Sequence, residues 1–425
     1  HPLAVAYAET AVQVQQLVKC AIDAKVVVTP RSGGHSYEGF SSTTGTLVVD
    51  ISKMNNCTAT GTDTIRVEAG IQLRDLYLSI HKSNPGHTFA GGTCPTVGLG
   101  GILSSGGYGT VARRFGIGAD HILSATVVNS KGEIVEVNDK AEPDLFWALK
   151  GGGGGTFGLV LSYSLKLVKT PENSMFHITW TLLDAVDVIM RFQKWAPTAT
   201  DKLTMYFYQL PGILKIYGHY LGSMDELDAV LKESGLLDIG TAVMHKVSCS
   251  PLGAKMFFNF DDTCQDRVTL ASQAFADITK SEKSYAKSLF IVREIPREVV
   301  IEYQKLLTLA PGVTYVNIEP HGGIFASQPS SLTAYPHRKG NLFHIGFAIL
   351  VTGLPVADDL AHAWINKVHS LLLPYSNAGS YHGYADLDLP HPLQSYFGAN
   401  VDRLVEVKRR YDPSNVFRNR QSIHP

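Results

Sequence analysis

The glycines of this chain crowd into its first 160 residues, in four dense clusters: Gly33-Gly34, Gly91-Gly92, Gly98 to Gly109 and Gly151 to Gly158. Glycine permits positive φ and lets backbone N–H groups approach a ligand with no Cβ in the way. Successive N–H groups in such a loop form a nest for an anion. One cluster is usually a turn. Four in one region point to a ligand with an anionic stretch, such as a dinucleotide pyrophosphate. None has the strand, G-x-G-x-x-G, helix setting of a Rossmann unit, and no G-K-S/T is present. The ligand is therefore held by another architecture.

The chain has 425 residues, 44% of them hydrophobic and 18% charged, which suits two cores rather than one. A net charge of −1 gives no field that would draw nucleic acid or an anionic membrane. No apolar run approaches the ~20 residues of a bilayer span. Small molecules are the expected partners, no metal is expected, and a monomer is expected.

The N-terminus lacks the charged head and apolar stretch of a signal peptide, although a mature chain could have lost one. The lone sequon Asn56-Cys57-Thr58 is compatible with an extracellular glycoprotein without proving secretion. Of the five cysteines, Cys249 and Cys264 are the expected disulfide, with two buried thiols as the alternative. Cys20 is expected to fill core on a helical face. Cys57 could pair with it or with a residue further upstream.

Hydrophobic periodicity gives a helix over 9–23 and short strands in "KVVVT", "TLVVDIS" and "TIRVEAG". A hairpin follows in "HILSATVVNSKGEIVEVND". Past residue 172 the pattern changes. "LTMYFYQL", "LKIYGHYL", "TYVNIEPHGG" and "NLFHIGFAILVTG" alternate as strands, between helices at 184–196, "MDELDAVLKESG" and "ADDLAHAWINKVHSLLLP". The fold class expected is α+β. Residues 1–170 and 381–425 would form a cofactor domain. Residues 171–380 would form a second domain, an antiparallel sheet backed by helices.

Five stretches carry a resemblance: "RSGGHSY" (31–37), "CPTVGLGG" (94–101), "SGGYG" (105–109), "PDLFWALKGGGGGTFGLV" (143–160) and "YDPSNVFRNRQSI" (411–423). In order and content the chain resembles the berberine bridge enzyme and oligosaccharide oxidase group of the vanillyl-alcohol-oxidase flavoproteins. In that family the histidine of the first motif is bonded to the flavin 8α-methyl and the cysteine of the second to flavin C6. The resemblance implies FAD held covalently through His35 and Cys94. Imidazole and thiol are also among the few side chains nucleophilic enough for such a bond. It further implies that Arg31, Ser32, Gly33, Gly34, Ser36, Tyr37, Pro95, Thr96, Val97, Gly98 and Gly101 surround the pyrophosphate and ring. Gly106, Gly107, Ile117, Gly154, Gly155 and Val160 would lie along the ribityl and adenine parts, with Asn415 and Phe417 reaching in from the tail. The family carries a further strand and cysteine ahead of the point where this sequence starts. A small residue at Val97 resembles the oxidases, which use O2; a bulkier one resembles the dehydrogenases.

Oxidising an alcohol requires a base for the hydroxyl proton and an acceptor for the hydride. In "GSYHGYADLDLP", Tyr384 matches the tyrosine base of the oligosaccharide oxidases, whose motif reads Y-x-N-Y-x-D; Gly383 here replaces the Asn. Glu319 stands where those enzymes keep an Asp beside the tyrosine, and is expected to hold the phenol. Tyr37 would lie at the substrate mouth. Tyr315 and Asn317 alternate with Glu319 and share its face; His344 lies on the next strand. Gly346 replaces a polar residue of the family and is expected to widen the pocket. The implied activity is oxidation of an alcohol, a sugar at its anomeric carbon first, with O2 reduced to hydrogen peroxide. The alternatives are an oxidase or oxidative cyclase of a secondary metabolite, and a flavin-loaded protein without activity.

Overall fold

The computed structural model describes residues 1–258, 264–266, 283–351 and 357–425. Near the N-terminus, Ala4–Tyr7 and Val28–Arg31 flank Leu47–Asp50 in a parallel sheet. The helix Ala11–Asp23 links the first two. It starts at a Thr10–Gln13 capping box, an arrangement worth about 1 kcal/mol. Val14, Val18 and Ala21 are its buried face. Cys20 is exposed, contrary to expectation: at 100° per residue it sits about 200° around the helix from Val18.

The strand expected in "KVVVT" begins only at Val28 and runs through Arg31. The histidine loop therefore starts where the sheet ends. A five-stranded sheet follows, in the order Cys57–Ala59, Thr64–Glu68, Leu159–Lys166, Ile122–Val128, Ile134–Val137. The hairpin expected around Ser130 pairs Val128 with Ile134. Phe89, Phe146, Phe157, Tyr163 and Phe417 are fully enclosed in the first core.

The second core lies under a seven-stranded antiparallel sheet. Its order is Val243–Cys249, Asn173–Trp180, Ile213–Tyr220, Leu203–Leu210, Val313–Pro320, Phe343–Val351, Lys283–Ile291. Alternate residues take opposite faces. Phe207, Ile216, Val316, Ile318, Ile345 and Phe347 meet the helices Ala185–Trp195, Arg297–Thr308 and Ala357–Leu372. The other face presents Tyr206, Tyr208, Tyr315, Asn317, Glu319, His344 and Gly346. It turns toward the glycine-rich part of the chain: Tyr108 of the "SGGYG" loop packs edge-on to Tyr206 and donates to the Pro320 carbonyl at 2.9 Å. The Thr352-Gly353 end of the expected strand lies outside the described residues.

Asn173–Trp180 escaped the sequence reading for a physical reason. Only its second half alternates, with His177 and Thr179 between Phe176, Ile178 and Trp180, while Asn173 to Phe176 are buried on both faces. The two parts are clamped by buried charge. Arg113, wholly enclosed, donates to the carbonyls of Ala196, Pro197 and Ala199. Arg338 reaches Asp120 at 2.5 and 2.9 Å. Cys249 and Cys264 form a disulfide, as expected.

Candidate active site

The histidine loop and the cysteine loop lie backbone against backbone. A Cβ at Gly33 would sit 2.3 Å from the Gly98 nitrogen, and one at Gly98 would sit 2.1 Å from the Gly33 nitrogen. Only glycine at both positions permits that approach. Ser32 Oγ locks the pair by donating to the Ala69 carbonyl at 2.7 Å. Arg31 folds beneath Gly34 and pairs with Asp50 at 3.0 Å. The N–H groups of Gly33, Gly34 and Ser36 donate to no carbonyl of the described backbone.

This interlock brings His35 and Cys94 together from 59 residues apart. The Thr96 hydroxyl joins them: His35 Nε2 lies 2.8 Å from it and Cys94 Sγ 3.8 Å. Around them runs a strip of bare backbone. A Cβ at Gly101 would meet nothing within 4 Å, and one at Gly154 would first meet Ser104 Cβ at 3.8 Å. Such a cradle fits FAD: open main-chain N–H groups suit a pyrophosphate, and two nucleophiles stand side by side at one end.

The other glycines named from the sequence lie against neighbouring side chains. Gly106, at φ 105°, would drive a Cβ to 2.8 Å from Tyr335. Gly107 is closest to Ile102, and Gly155 to Pro30. Ile117 and Phe417 are wholly buried and Val160 is nearly so. The Phe417 residue bridges to Val28 and extends the parallel sheet. Asn415 bonds His424 at 3.0 Å within the tail. Pro95 and Val97 hold the cysteine loop through their carbonyls, which accept from Arg74 and Leu73.

The substrate candidates come from three elements. Tyr37 stacks on Tyr384 with centroids 5.1 Å apart and planes 6° from parallel. Tyr381 meets Tyr384 edge-on at 5.2 Å. Gly383 allows this, because a Cβ there would fall 2.4 Å from the Tyr381 ring. Burial pushes the Tyr384 phenol well above the ordinary tyrosine range, and the charge of Glu319 adds to it.

Two expectations are corrected here. Glu319 makes no hydrogen bond to Tyr384. Its Oε1 accepts from Asn317 Nδ2 at 3.0 Å and its Oε2 lies 3.3 Å from His344 Nδ1. On adjacent strands Glu319 and His344 are direct cross-strand neighbours, so the register makes this pair. Gly346 does not widen the pocket either. The space its side chain would occupy is filled: a Cβ would lie 2.5 Å from Asn317 Oδ1 and 3.0 Å from Tyr384 Cε2. Tyr315 lies further along the same face, tilted against Tyr208 at 5.8 Å.

Sequence reasoning missed Tyr381, Tyr108 and His382. All three sit inside quoted motifs, but only their ring packing reveals a role. His382 lies against Gly153 and Phe397, and burial lowers its imidazole to about 4, so it stays neutral. Outward from Tyr37, an open cleft enclosing about 880 Å³, part of it solvent, runs past Glu38, Tyr285, Lys287, Asp386 and Asp388.

Comparison with known proteins agrees with this geometry. A family model described as "FAD binding domain" matches residues 2–138, and one described as "Berberine and berberine like" matches residues 380–424. The FAD-linked oxidoreductase pynB of Aspergillus niger is 31% identical, over 100% of this chain and 85% of its own. Monolignol oxidoreductase AtBBE-like 13 of Arabidopsis thaliana is 32% identical, over 96% of this chain and 81% of its own. Among solved structures, Phl p 4, a grass pollen allergen with glucose dehydrogenase activity, superposes with a TM-score of 0.89 at 28% identity, covering 99% of this chain and 90% of its own. The chain is an FAD-dependent oxidoreductase and belongs to the berberine bridge enzyme-like family.

Proposed function

We propose that the protein is an oxidase of alcohols, with a sugar oxidised at its anomeric carbon as the leading substrate and O2 as the electron acceptor. The convergence of His35, Thr96 and Cys94 beside the Tyr37–Tyr384 pair carries this reading. FAD, when bound, accepts the hydride. The rest falls to the chain's own groups. His35 and Cys94 hold the flavin by covalent bonds. Tyr37 and Tyr384 present parallel phenols against which a sugar ring packs. Tyr384, whose ring centroid lies 5.5 Å from that of His344, is the contact through which the substrate hydroxyl loses its proton. Asn317 and Tyr315 offer polar edges on the same face. Cleft residues Glu38, Lys287 and Asp386 receive the part of the substrate that extends outward.

Relatives support both the substrate and the acceptor. Wild-type Phl p 4 is described as a glucose dehydrogenase and an isoleucine-to-valine variant of it as a glucose oxidase. A valine, Val97, stands here three residues after Cys94. A second reading, an aromatic alcohol, is favoured by the ring-rich wall of Tyr37, Tyr381, Tyr384 and Tyr208, and an Arabidopsis relative is named a monolignol oxidoreductase. We place the domain division at residues 171 and 381, and the disulfide supports an extracellular setting. A peroxide assay over sugars and aromatic alcohols separates the two readings. Denatured protein should stay yellow, and only loss of both His35 and Cys94 should free the dye. Release of flavin from acid-unfolded wild type would overturn the covalent assignment.

A further inference from the structure

The strand Lys283–Ile291 ends the seven-stranded sheet, and only one of its edges pairs with another strand, Phe343–Val351. The chain comes back along its other edge and covers it. Ile291 bridges to Ser376, and the Phe290 N–H donates to the Gly379 carbonyl at 3.3 Å. Past Gly379 no main-chain bond joins the two among the described residues. Two side chains of the strand take over. Ser288 Oγ accepts from the Tyr381 N–H at 2.9 Å and lies 3.0 Å from Ser380 Oγ. Lys287 Nζ donates to Asp386 Oδ2 at 2.8 Å, to Asp386 Oδ1 at 3.0 Å and to Asp388 Oδ2 at 3.2 Å. Tyr384 stands between these two points, on the short 3-10 turn His382–Tyr384.

Both anchors are enclosed. Ser288 is 1% exposed, Lys287 4% and Asp386 3%. An ammonium has three N–H donors. Each of those of Lys287 has a carboxylate oxygen in range, so its charge is committed to the turn while its stem lines the cleft. Asp386 is fixed on its main-chain side as well: its N–H donates to Tyr396 Oη at 2.9 Å and its carbonyl accepts from Gln421 Nε2 at 2.7 Å. The Tyr384 ring is placed by stacking on Tyr37 and by the edge of Tyr381, so it goes where the turn goes.

We propose that Ser288 and Lys287 are the positioning residues of Tyr384, pinning the turn that carries it to the free edge of the strand, one on each side. The proposal rests on the alcohol-oxidase reading, in which Tyr384 meets the substrate hydroxyl. Removing Lys287 leaves a buried carboxylate with no counter-charge, and the turn must move to bring it to water. Removing the Ser288 hydroxyl leaves the Tyr381 N–H without its acceptor. The flavin loops are spared, because His35, Thr96 and Cys94 lie on other segments and contact one another.

The test uses the flavin-loaded full chain, with glucose and a monolignol as substrates. Lys287→Met and Ser288→Ala are each made alone and in a Tyr384→Phe background, and anaerobic flavin reduction is followed by stopped flow. A displacement of about 1 Å costs on the order of a hundredfold in rate. Lys287→Met should therefore lower the saturating reduction rate at least about tenfold and Ser288→Ala about threefold or more, with flavin content kept. In the Tyr384→Phe background either change should slow reduction by less than about twofold, since the group it acts through is gone. Amide hydrogen exchange gives a readout independent of activity: peptides over 380–388 should exchange at least about tenfold faster in each variant, and those over 91–109 as in wild type. An equal loss of rate in both backgrounds would mark a general structural role and overturn the proposal, as would unchanged exchange over 380–388. Should Lys287→Met fail to fold, Ser288→Ala decides by the same measurements. If neither alcohol reduces the wild-type flavin, the functional reading has failed; exchange still decides whether the two side chains hold the turn.

Discussion

Replacing Gly33 with Ala tests the interlock on which the site is built. The new Cβ would lie 2.3 Å from Gly98 nitrogen and 2.8 Å from Gly98 Cα. Both are backbone atoms, with no rotamer to give way. An ordinary contact begins at 3.4 Å, so the two loops must part by about 1 Å. The His35–Thr96 bond, 2.8 Å long, would then pass the limit of a hydrogen bond. Overpacking costs roughly 1–3 kcal/mol and the lost bond about 1 more. For a domain of this size each kcal/mol is worth roughly 2–4 °C, so melting should fall by roughly 5–15 °C. Flavin content per chain should fall with it. Gly101→Ala is the control. Its Cβ meets nothing, and it lies in the short helix Leu99–Ser104, where alanine gains up to about 1 kcal/mol over glycine. It should raise the melting point of flavin-free protein while impeding flavin loading. A Gly33→Ala protein that melts within about 1 °C of wild type, with full flavin content, would refute the clash.

Other outcomes follow from single sites. Gly346→Ala should push Tyr384 or Asn317 from its place and slow flavin reduction at least tenfold, read by stopped flow, with little change in melting. Asp412→Ala strips the partner from buried Lys408, which lies 2.7 Å from it and also donates to Thr156 and Phe417 carbonyls. It should cost roughly 3–5 kcal/mol in denaturant unfolding. Lys255 is fully buried and its amine is held down at about 7. Between pH 7 and 10 the unfolded chain binds the proton that the folded chain has released, so stability rises with pH there by up to about 1.4 kcal/mol per unit. Lys255→Met should remove that slope, and identical pH profiles for the two proteins would contradict it. Tyr384→Phe should slow reduction on the order of a hundredfold while leaving substrate binding near wild type, read from the concentration dependence of flavin bleaching.

The glycine loops, with His35 and Cys94 inside them, were legible from the sequence because each requirement there is local. Positive φ, bare backbone and a nucleophile are properties of single residues and short spacings. The alternating strands 203–210, 213–220 and 313–320 were legible for the same reason. Asn173–Trp180 was not, since Asn173 to Phe176 are buried on both faces and leave only a short alternating run from Phe176 to Trp180. Nor was the outward turn of Cys20, which depends on which helical face meets the sheet.

Sequence by itself determined the cofactor class, the α+β alternation and the identity of the strand that carries Asn317 and Glu319. Tertiary structure alone decided how those groups connect. Strand register set Glu319 opposite His344 rather than against Tyr384. The close approach of another segment filled the space at Gly346. Both outcomes depend on residues far apart in the chain, and no local spacing encodes a distance across a sheet.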